Sequence, residues 1–415
     1  MKTHASASSV IHAPRRLAMR AAVAAGLLLS FGCMAQSPAP IKIGVLNDQS
    51  GIAASLSGQG SVVAARMAVE DFGGSVAGRK VEVVYADHQY KPDVGSAIVR
   101  RWFDTEGVTA VVDVPSSAVA LAVQEVTRQA NRVALFTSPA ASQLTGKACS
   151  PNGIQWAQDT YGMANGAPPE LLKTGNDSWY FITIDYAYGT ATEKDARDVI
   201  EAHHGKVVGS VKHAANAGDF SSQLLQAQAS KAKVIALATA GDDMSNLVKQ
   251  AAEFGISGHG QTIAPLTTAM FNAVHGLGLK SASGLVFTES FYWDRNDKSR
   301  QFSKRFLARH GTMPSAIQGD TYSAVTHYLK ALATGVNPMD GIAVVKAMRD
   351  IPGDDFGSPA KVRVDGRVER DLYMFKVKTP EQSKYAWDYY TLQKTLPAAS
   401  VTRAPTTECS LVKAL

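Results

Sequence analysis

The 415-residue sequence is short of the motifs that enzymatic chemistry needs. It has no Gly-x-Ser-x-Gly elbow, no Walker loop and no His-Glu-x-x-His pair. Gly58-Gln59-Gly60 lacks the third glycine of a dinucleotide fingerprint and does not directly follow a strand-like run. No basic stripe or aromatic–basic module is present, so nucleic acid is not an expected partner. Beyond residue 35 no apolar stretch reaches membrane-spanning length, so the processed chain is expected to be soluble. His203-His204 closes a helix beside Gly205, and Asp242-Asp243 opens one; both suit the helix dipole better than a metal. Neither a metal nor a cofactor is expected.

Acidic residues are missing from the first 35 positions, and that absence is informative. Lys2, Arg15, Arg16 and Arg20 precede the apolar run Ala21–Gly32, and Cys33-Met34-Ala35 follows. Basic start, apolar core and small-residue exit make residues 1–35 a secretory signal peptide, cut after Ala35. The apolar run is too short to persist as a membrane span. Ser30-Phe31-Gly32-Cys33 lacks the Leu expected three residues before a lipidated Cys, so clean removal is preferred to lipid anchoring at Cys33. The formal charge of +6 includes those four basic residues, and the mature chain carries +2. Cleavage also removes Cys33, leaving Cys149 and Cys409 in an oxidising compartment. Both lie in polar, loop-like segments, so a Cys149–Cys409 disulfide is expected rather than two buried thiols.

From Ile41 the pattern is a regular strand–helix alternation. Strand-like runs are Ile41–Asn47, Lys80–Ala86, Thr109–Asp113 and Arg132–Phe136. Helical stripes fill the gaps, among them Val62, Ala65, Val69 and Phe72, and Val119, Ala122, Val123 and Val126. The alternation restarts with strands Trp179–Ile184, Lys206–Val211, Lys233–Thr239 and Gln261–Pro265. After two further helices, Lys361–Val364 and Asp371–Lys378 read as a hairpin around Asp365-Gly366. Such spacing requires parallel pairing through right-handed crossovers. The expected fold is α/β, with two doubly wound parallel-sheet lobes joined by a hinge. Residues 41–157 and 291–350 are assigned to lobe 1, and 158–290 and 351–394 to lobe 2. Residues 395–415 form a C-terminal tail, which the disulfide ties over the crossing region.

In such sheets ligands meet the turns at the carboxyl ends of strands. In lobe 1 these include Pro115-Ser116-Ser117 and Thr137-Ser138-Pro139-Ala140. Ser116 and Ser117 open a helix, where hydroxyls and free N–H groups suit a carboxylate; simple N-capping explains one of the two. In lobe 2 they are Asp185-Tyr186-Ala187-Tyr188-Gly189, Ala238-Thr239-Ala240-Gly241 and Ala264-Pro265-Leu266. The tyrosines offer flat apolar surface with a hydroxyl tip. An α/β body placed outside the cytoplasm has little ATP or NAD to use, which favours a receptor over an enzyme.

Ile41–Asn47 followed by Ser50-Gly51, Asp87-His88-Gln89-Tyr90-Lys91-Pro92-Asp93, Asp185-Tyr186-Ala187-Tyr188-Gly189 and Asp219-Phe220-Ser221-Ser222 resemble the exported receptors of ABC importers. The nearest branch is the branched-chain amino acid type, with its type I periplasmic binding fold. Leu144-Thr145-Gly146-Lys147-Ala148-Cys149-Ser150-Pro151, Phe291-Tyr292-Trp293-Asp294 and the late Cys409 are similar to a subgroup linked to aromatic and related small organic acids. The resemblance spans 41–415. It implies a periplasmic, monomeric receptor that takes no cofactor and delivers its ligand to an ABC permease in the inner membrane. It also implies that Ser116, Ser117, Ser138 and Ala140 hold a ligand carboxylate and that Tyr186 and Tyr188 close over it; Thr239 and Pro265 complete the candidate set. No acidic group that would grip an α-ammonium is evident, since that turn reads Ala264-Pro265-Leu266-Thr267-Thr268. A carboxylate without an ammonium is therefore favoured. An amino acid receptor of the same fold and a sensory ligand-binding protein remain alternatives. An exported hydrolase would need a nucleophile and base that the sequence does not offer.

Overall fold

A computed structural model describes residues 39–256 and 260–413, so the export signal, its cut at Ala35 and Cys33 lie outside the described residues. The four strand-like runs of the first lobe fold as β1 (Ile41–Asn47), β3 (Arg79–Asp87), β4 (Val108–Asp113) and β5 (Val133–Phe136), and two short edge strands that were not among those runs, β2 (Ser75–Val76) and β6 (Gly153–Gln155), join them. Their order is β2-β3-β1-β4-β5-β6, parallel except for the β2 edge. All six residues of β4 are buried, because helices cover both faces of the sheet. The strand period of two sorts the core accordingly. Ile43, Val45, Ala110 and Val112 pack with Val62, Val325 and Val344 on one face. Leu46, Val111, Ala134 and Phe136 pack with Val99, Trp102 and Val123 on the other.

The second lobe repeats the plan with β7 (Ser178–Ile184), β8 (Lys206–His213), β9 (Val234–Ala238) and β10 (Thr262–Pro265). All are parallel, in the order β10-β9-β7-β8. Trp179, Phe181 and Ala236 face Ala196 and Ile200, while Ile182, Ile235 and Leu237 face Leu224 and Leu247. The fold is the expected one: α/β, with two parallel-sheet lobes.

Helix Ala316–Leu332 returns to the first lobe and packs on helix Gly58–Asp71. Gly60 is needed there, because a β-carbon on it would collide with the amide of Gln318, whose side chain completes the capping box at Ser315. The late strands form two antiparallel sheets. One is β12 (Gly353–Asp355), β13 (Ser358–Val362) and β14 (Val368–Arg370); the other joins β11 (Val286–Glu289), β15 (Leu372–Val377) and β16 (Tyr390–Leu396). The hairpin reading needs correction. The chain does turn at Asp365-Gly366, but the returning arm is Val368–Arg370, and Leu372–Val377 belongs to the other sheet. Val362 and Val368 pack with the first-lobe core, whereas Phe375 and Val377 pack with Phe287 and Tyr390. Opposite burial therefore separates Val368–Arg370 from Leu372–Val377, and the second of these, expected to pair with Lys361–Val364, pairs elsewhere.

Where the chain crosses between lobes it is tied by buried polar groups. Arg370 binds Asp320 at 2.5 Å, Asp355 at 3.0 Å and the Trp156 carbonyl at 2.8 Å. Gln158 Nε2 donates to the carbonyls of Thr267 and Thr288. The Cys149–Cys409 disulfide is formed, with Cα atoms 5.5 Å apart. Phe291, Tyr292 and Trp293 are all buried in the core.

Candidate functional site

The switch in strand order falls between β1 and β4 in the first lobe and between β7 and β9 in the second, which is where crevices open in such sheets. After β4 the backbone kinks: Asp113 and Val114 have φ of 87° and 63°, strained for a β-branched residue. The Val114 N–H donates to the Leu46 carbonyl at 2.9 Å, and the Asp113 carboxyl accepts from Asn47 Nδ2 at 3.0 Å. Burial pushes Asp113 up to about 7, against hydrogen bonding from its polar neighbours. The kink delivers Pro115-Ser116-Ser117 to the crevice. A second left-handed turn presents Tyr90 (φ 60°), whose N–H donates to His88 Nδ1 at 2.9 Å. Burial holds His88 down at about 4, so its ring stays a neutral acceptor.

These turns meet the second lobe in one narrow cavity of about 40 Å³. Its wall includes Ser117, Ser138, Ala140 and Tyr90 from one side, and Tyr186, Tyr188, Gly241 and Thr268 from the other; Ile52, Leu56 and Ile317 add apolar surface. Among the described residues no charged side chain lines it. The Tyr188 hydroxyl donates to the Leu266 carbonyl at 2.8 Å, which fixes its ring. Burial raises the pKa of all three tyrosines, that of Tyr90 to about 12, so they face the cavity as neutral phenols.

Three helices begin at this wall: Ser117–Ala130, Ala187–Ala202 and Gly241–Glu253. Ser116 caps the first, accepting from the Val119 N–H at 3.5 Å. The other two have no side-chain cap. The leading N–H groups of a helix carry partial positive charge and lack internal partners. The wall can therefore accept an anion through neutral donors.

Of the residues expected from the sequence, Ser117, Ser138, Ala140, Tyr186 and Tyr188 come together on this wall. Ser116 lies behind it as the helix cap. Thr239 is fully buried, and Pro265 lies within β10; neither lines the cavity. The residues just past those strands, Ala240, Gly241 and Thr268, do so instead. Tyr90, from the Asp87–Asp93 turn, joins the wall although it is not one of the residues expected there. Ile317 comes from the returning helix, and no strand-end signal points to it.

Residues 40–384 match the family model described as periplasmic binding protein. The chain is similar to the crystal structure of a periplasmic binding protein from Burkholderia mallei, at 41% identity and TM-score 0.85, covering 90% of this chain and 99% of that one. It is also similar to a branched-chain amino acid ABC transporter periplasmic ligand-binding protein from Burkholderia xenovorans, at 36% identity and TM-score 0.79, covering 87% and 96%. A Rhodopseudomonas palustris ABC-transporter solute-binding protein in complex with benzoate shares the fold, at 18% identity and TM-score 0.77, covering 86% and 97%. No curated protein sequence matches.

Proposed function

From its membership of the periplasmic binding protein family, to which the chain belongs, we propose that this receptor captures a small monocarboxylate, aromatic or a related organic acid, between its lobes. The family is one of solute-binding receptors of ABC transporters. No helix among the described residues is long and apolar enough to cross a membrane. Export by residues 1–35 and delivery to an inner-membrane permease complete the reading.

One observation carries the ligand class: three helix starts converge on a cavity lined by no charged side chain. Ser117 and Ser138 supply hydroxyls on the first lobe. A carboxylate is satisfied by such donors. A zwitterionic amino acid would bring an ammonium with no counter-charge on the wall, at a cost of several kcal/mol. The phenol rings of Tyr90, Tyr186 and Tyr188 suit a flat, uncharged remainder. The benzoate-holding neighbour shows that this fold accommodates such a ligand in another protein.

The cavity volume of about 40 Å³ favours a second reading, a short aliphatic monocarboxylate. It is well below the roughly 150 Å³ of an engineered cavity that takes benzene. An aromatic acid therefore requires the lobes to part further before they close on it. Thermal-shift screening with benzoates, phenylpropanoids, short fatty acids and amino acids tests both readings. Stabilisation by aromatic or short aliphatic acids is expected. A response to leucine-like amino acids alone overturns the ligand class and leaves the receptor family untouched.

A further inference from the structure

A groove of about 690 Å³ lies away from the cleft, where the tail crosses the junction of the lobes. The Ser142–Lys147 turn and the tail residues Arg403–Glu408 line it, and the Cys149–Cys409 disulfide joins those two segments. Arg367, from the last crossing, also lines it and is 4% exposed.

This buried guanidinium is incompletely matched. Its Nη1 donates to the Ala157 carbonyl at 2.5 Å, and its Nε has no partner among the described residues. The Asp159 carboxylate is 4.0 Å from Nη2, beyond hydrogen-bond reach, and already accepts from the Gly162 N–H at 2.9 Å. Burial, with Arg370 and Arg363 nearby, pulls the Arg367 pKa down against the attraction of Asp159. Of the other arginines of the groove, Arg363 is matched by Asp365 at 2.5 Å, and Arg403 pairs through Nη2 with Asp195 at 3.0 Å while its own Nε finds no partner among the described residues. Lys147 and Glu408 are exposed, and neither has an ion-pair partner among the described residues. A buried cation held this loosely is costly unless a further acceptor reaches it.

We propose that this groove is a second binding site, for a small oxyanion whose oxygens complete the Arg367 fork and meet Lys147. Arginine presents its donors in a fixed planar fork that suits carboxylate and phosphate oxygens, and the nearby lysine adds a mobile charge. Inorganic phosphate or sulfate and an organic polycarboxylate share that chemistry. The site is independent of the cleft ligand and does not rest on the ligand assignment above.

Calorimetric titration of the full processed protein with phosphate, sulfate and citrate, at constant ionic strength, tests it. Saturable one-site binding by at least one of the three is expected, and the tightest identifies the source. Lys147→Glu alters only an exposed side chain and should weaken that binding about tenfold or more, the usual worth of a charge-assisted hydrogen bond. Arg367→Gln should do the same where it folds. Reducing the disulfide frees one wall and should also weaken binding, whereas Ser117→Ala in the cleft should leave it unaltered. Absence of saturable binding overturns the proposal. So does wild-type affinity in Lys147→Glu, or loss of binding in Ser117→Ala, which would move the anion to the cleft.

Discussion

Gly241 of the second lobe and Ile52 of the first meet across the cleft, so closely that a β-carbon on Gly241 would stand 2.5 Å from the Ile52 carbonyl oxygen. Gly241 also has φ of +62°, which a residue with a β-carbon adopts at a cost of about 1 kcal/mol. Gly241→Ala should therefore hold the lobes apart. The variant is expected to fold with a modestly lowered melting temperature, to lose about tenfold or more in ligand affinity, and to show less ligand-induced compaction in small-angle scattering. Wild-type affinity and compaction would show that this contact does not limit closure.

Ser117 and Thr239 make a contrasting pair. Ser117 lines the cavity at a helix start, and Ser117→Ala should weaken ligand binding by roughly 1–3 kcal/mol through loss of a donor to a charged acceptor. Thr239 is off the wall, and its buried hydroxyl has no partner among the described residues. Thr239→Val keeps the shape and should leave affinity unchanged, with stability equal or slightly raised. Titration of both variants with whichever acid the screen identifies checks the contrast. A large loss in Thr239→Val would place the ligand deeper against β9.

The contrast also shows what was legible in the sequence. The central strands of both lobes follow from β-branched runs at regular spacing, because buried parallel strands require such runs and little else competes, whereas the two- and three-residue edge strands β2 and β6 are too short to show a pattern. Ser117, Ser138 and the two tyrosines follow from the rule that ligands meet strand carboxyl ends. Thr239 and Pro265 illustrate its limit. The rule locates a turn but not which residue of the turn clears the sheet, and the wall is made one to three positions later by Ala240, Gly241 and Thr268. Ile317 and Leu56 reach the wall through tertiary packing alone. The hairpin misreading has a similar origin, since nothing local to residues 368–377 says that its two halves are buried against different cores.

The disulfide supports a prediction about the tail. Cys149 and Cys409 are 260 positions apart and bonded, so the oxidised, denatured protein should titrate no free thiol among these two. Closing so long a loop is worth nominally about 5 kcal/mol on the chain-entropy model. The measured loss on Cys409→Ser should be smaller, because the tail is peripheral and its release need not unfold the lobes. A reduced melting temperature, with protease sensitivity gained only beyond about residue 395, is expected. Unchanged stability and protection would show that the tail is held by its packing alone.

Asp113 supplies a pH dependence whose sign can be worked out. Its folded pKa is raised from 3.8 to about 7, chiefly by burial. A carboxyl raised in the folded state contributes stability that is fully present below its unfolded pKa and is lost as pH rises through the folded value. The loss attributable to Asp113 should therefore develop between about pH 4 and 7. Asn tolerates the left-handed backbone of this position and can still accept from Asn47. Asp113→Asn should gain stability relative to wild type at pH 8 compared with pH 5, measured by urea unfolding. A parallel pair of pH profiles would show that Asp113 is ionised throughout.

Arg370 sits between two carboxylates at the crossing of the lobes, 2.5 Å from Asp320 and 3.0 Å from Asp355, and all three side chains are at most 4% exposed. Burial pushes Asp320 up to about 6 even with Arg370 pulling the other way. Arg370→Met preserves much of the side-chain volume but strands two buried carboxylates. The expected cost near neutral pH is about 3–5 kcal/mol, the range for breaking a buried pair from one side. Protonation offers the variant a partial escape. Without the guanidinium the folded pKa of Asp320 must rise further, so the variant regains stability as pH falls towards the unfolded value of 3.8. Its deficit against wild type should be smaller at pH 5 than at pH 8 in urea unfolding. An equal deficit at both values would show that Arg370 acts through packing, whereas the predicted narrowing assigns the loss to uncompensated charge at the crossing.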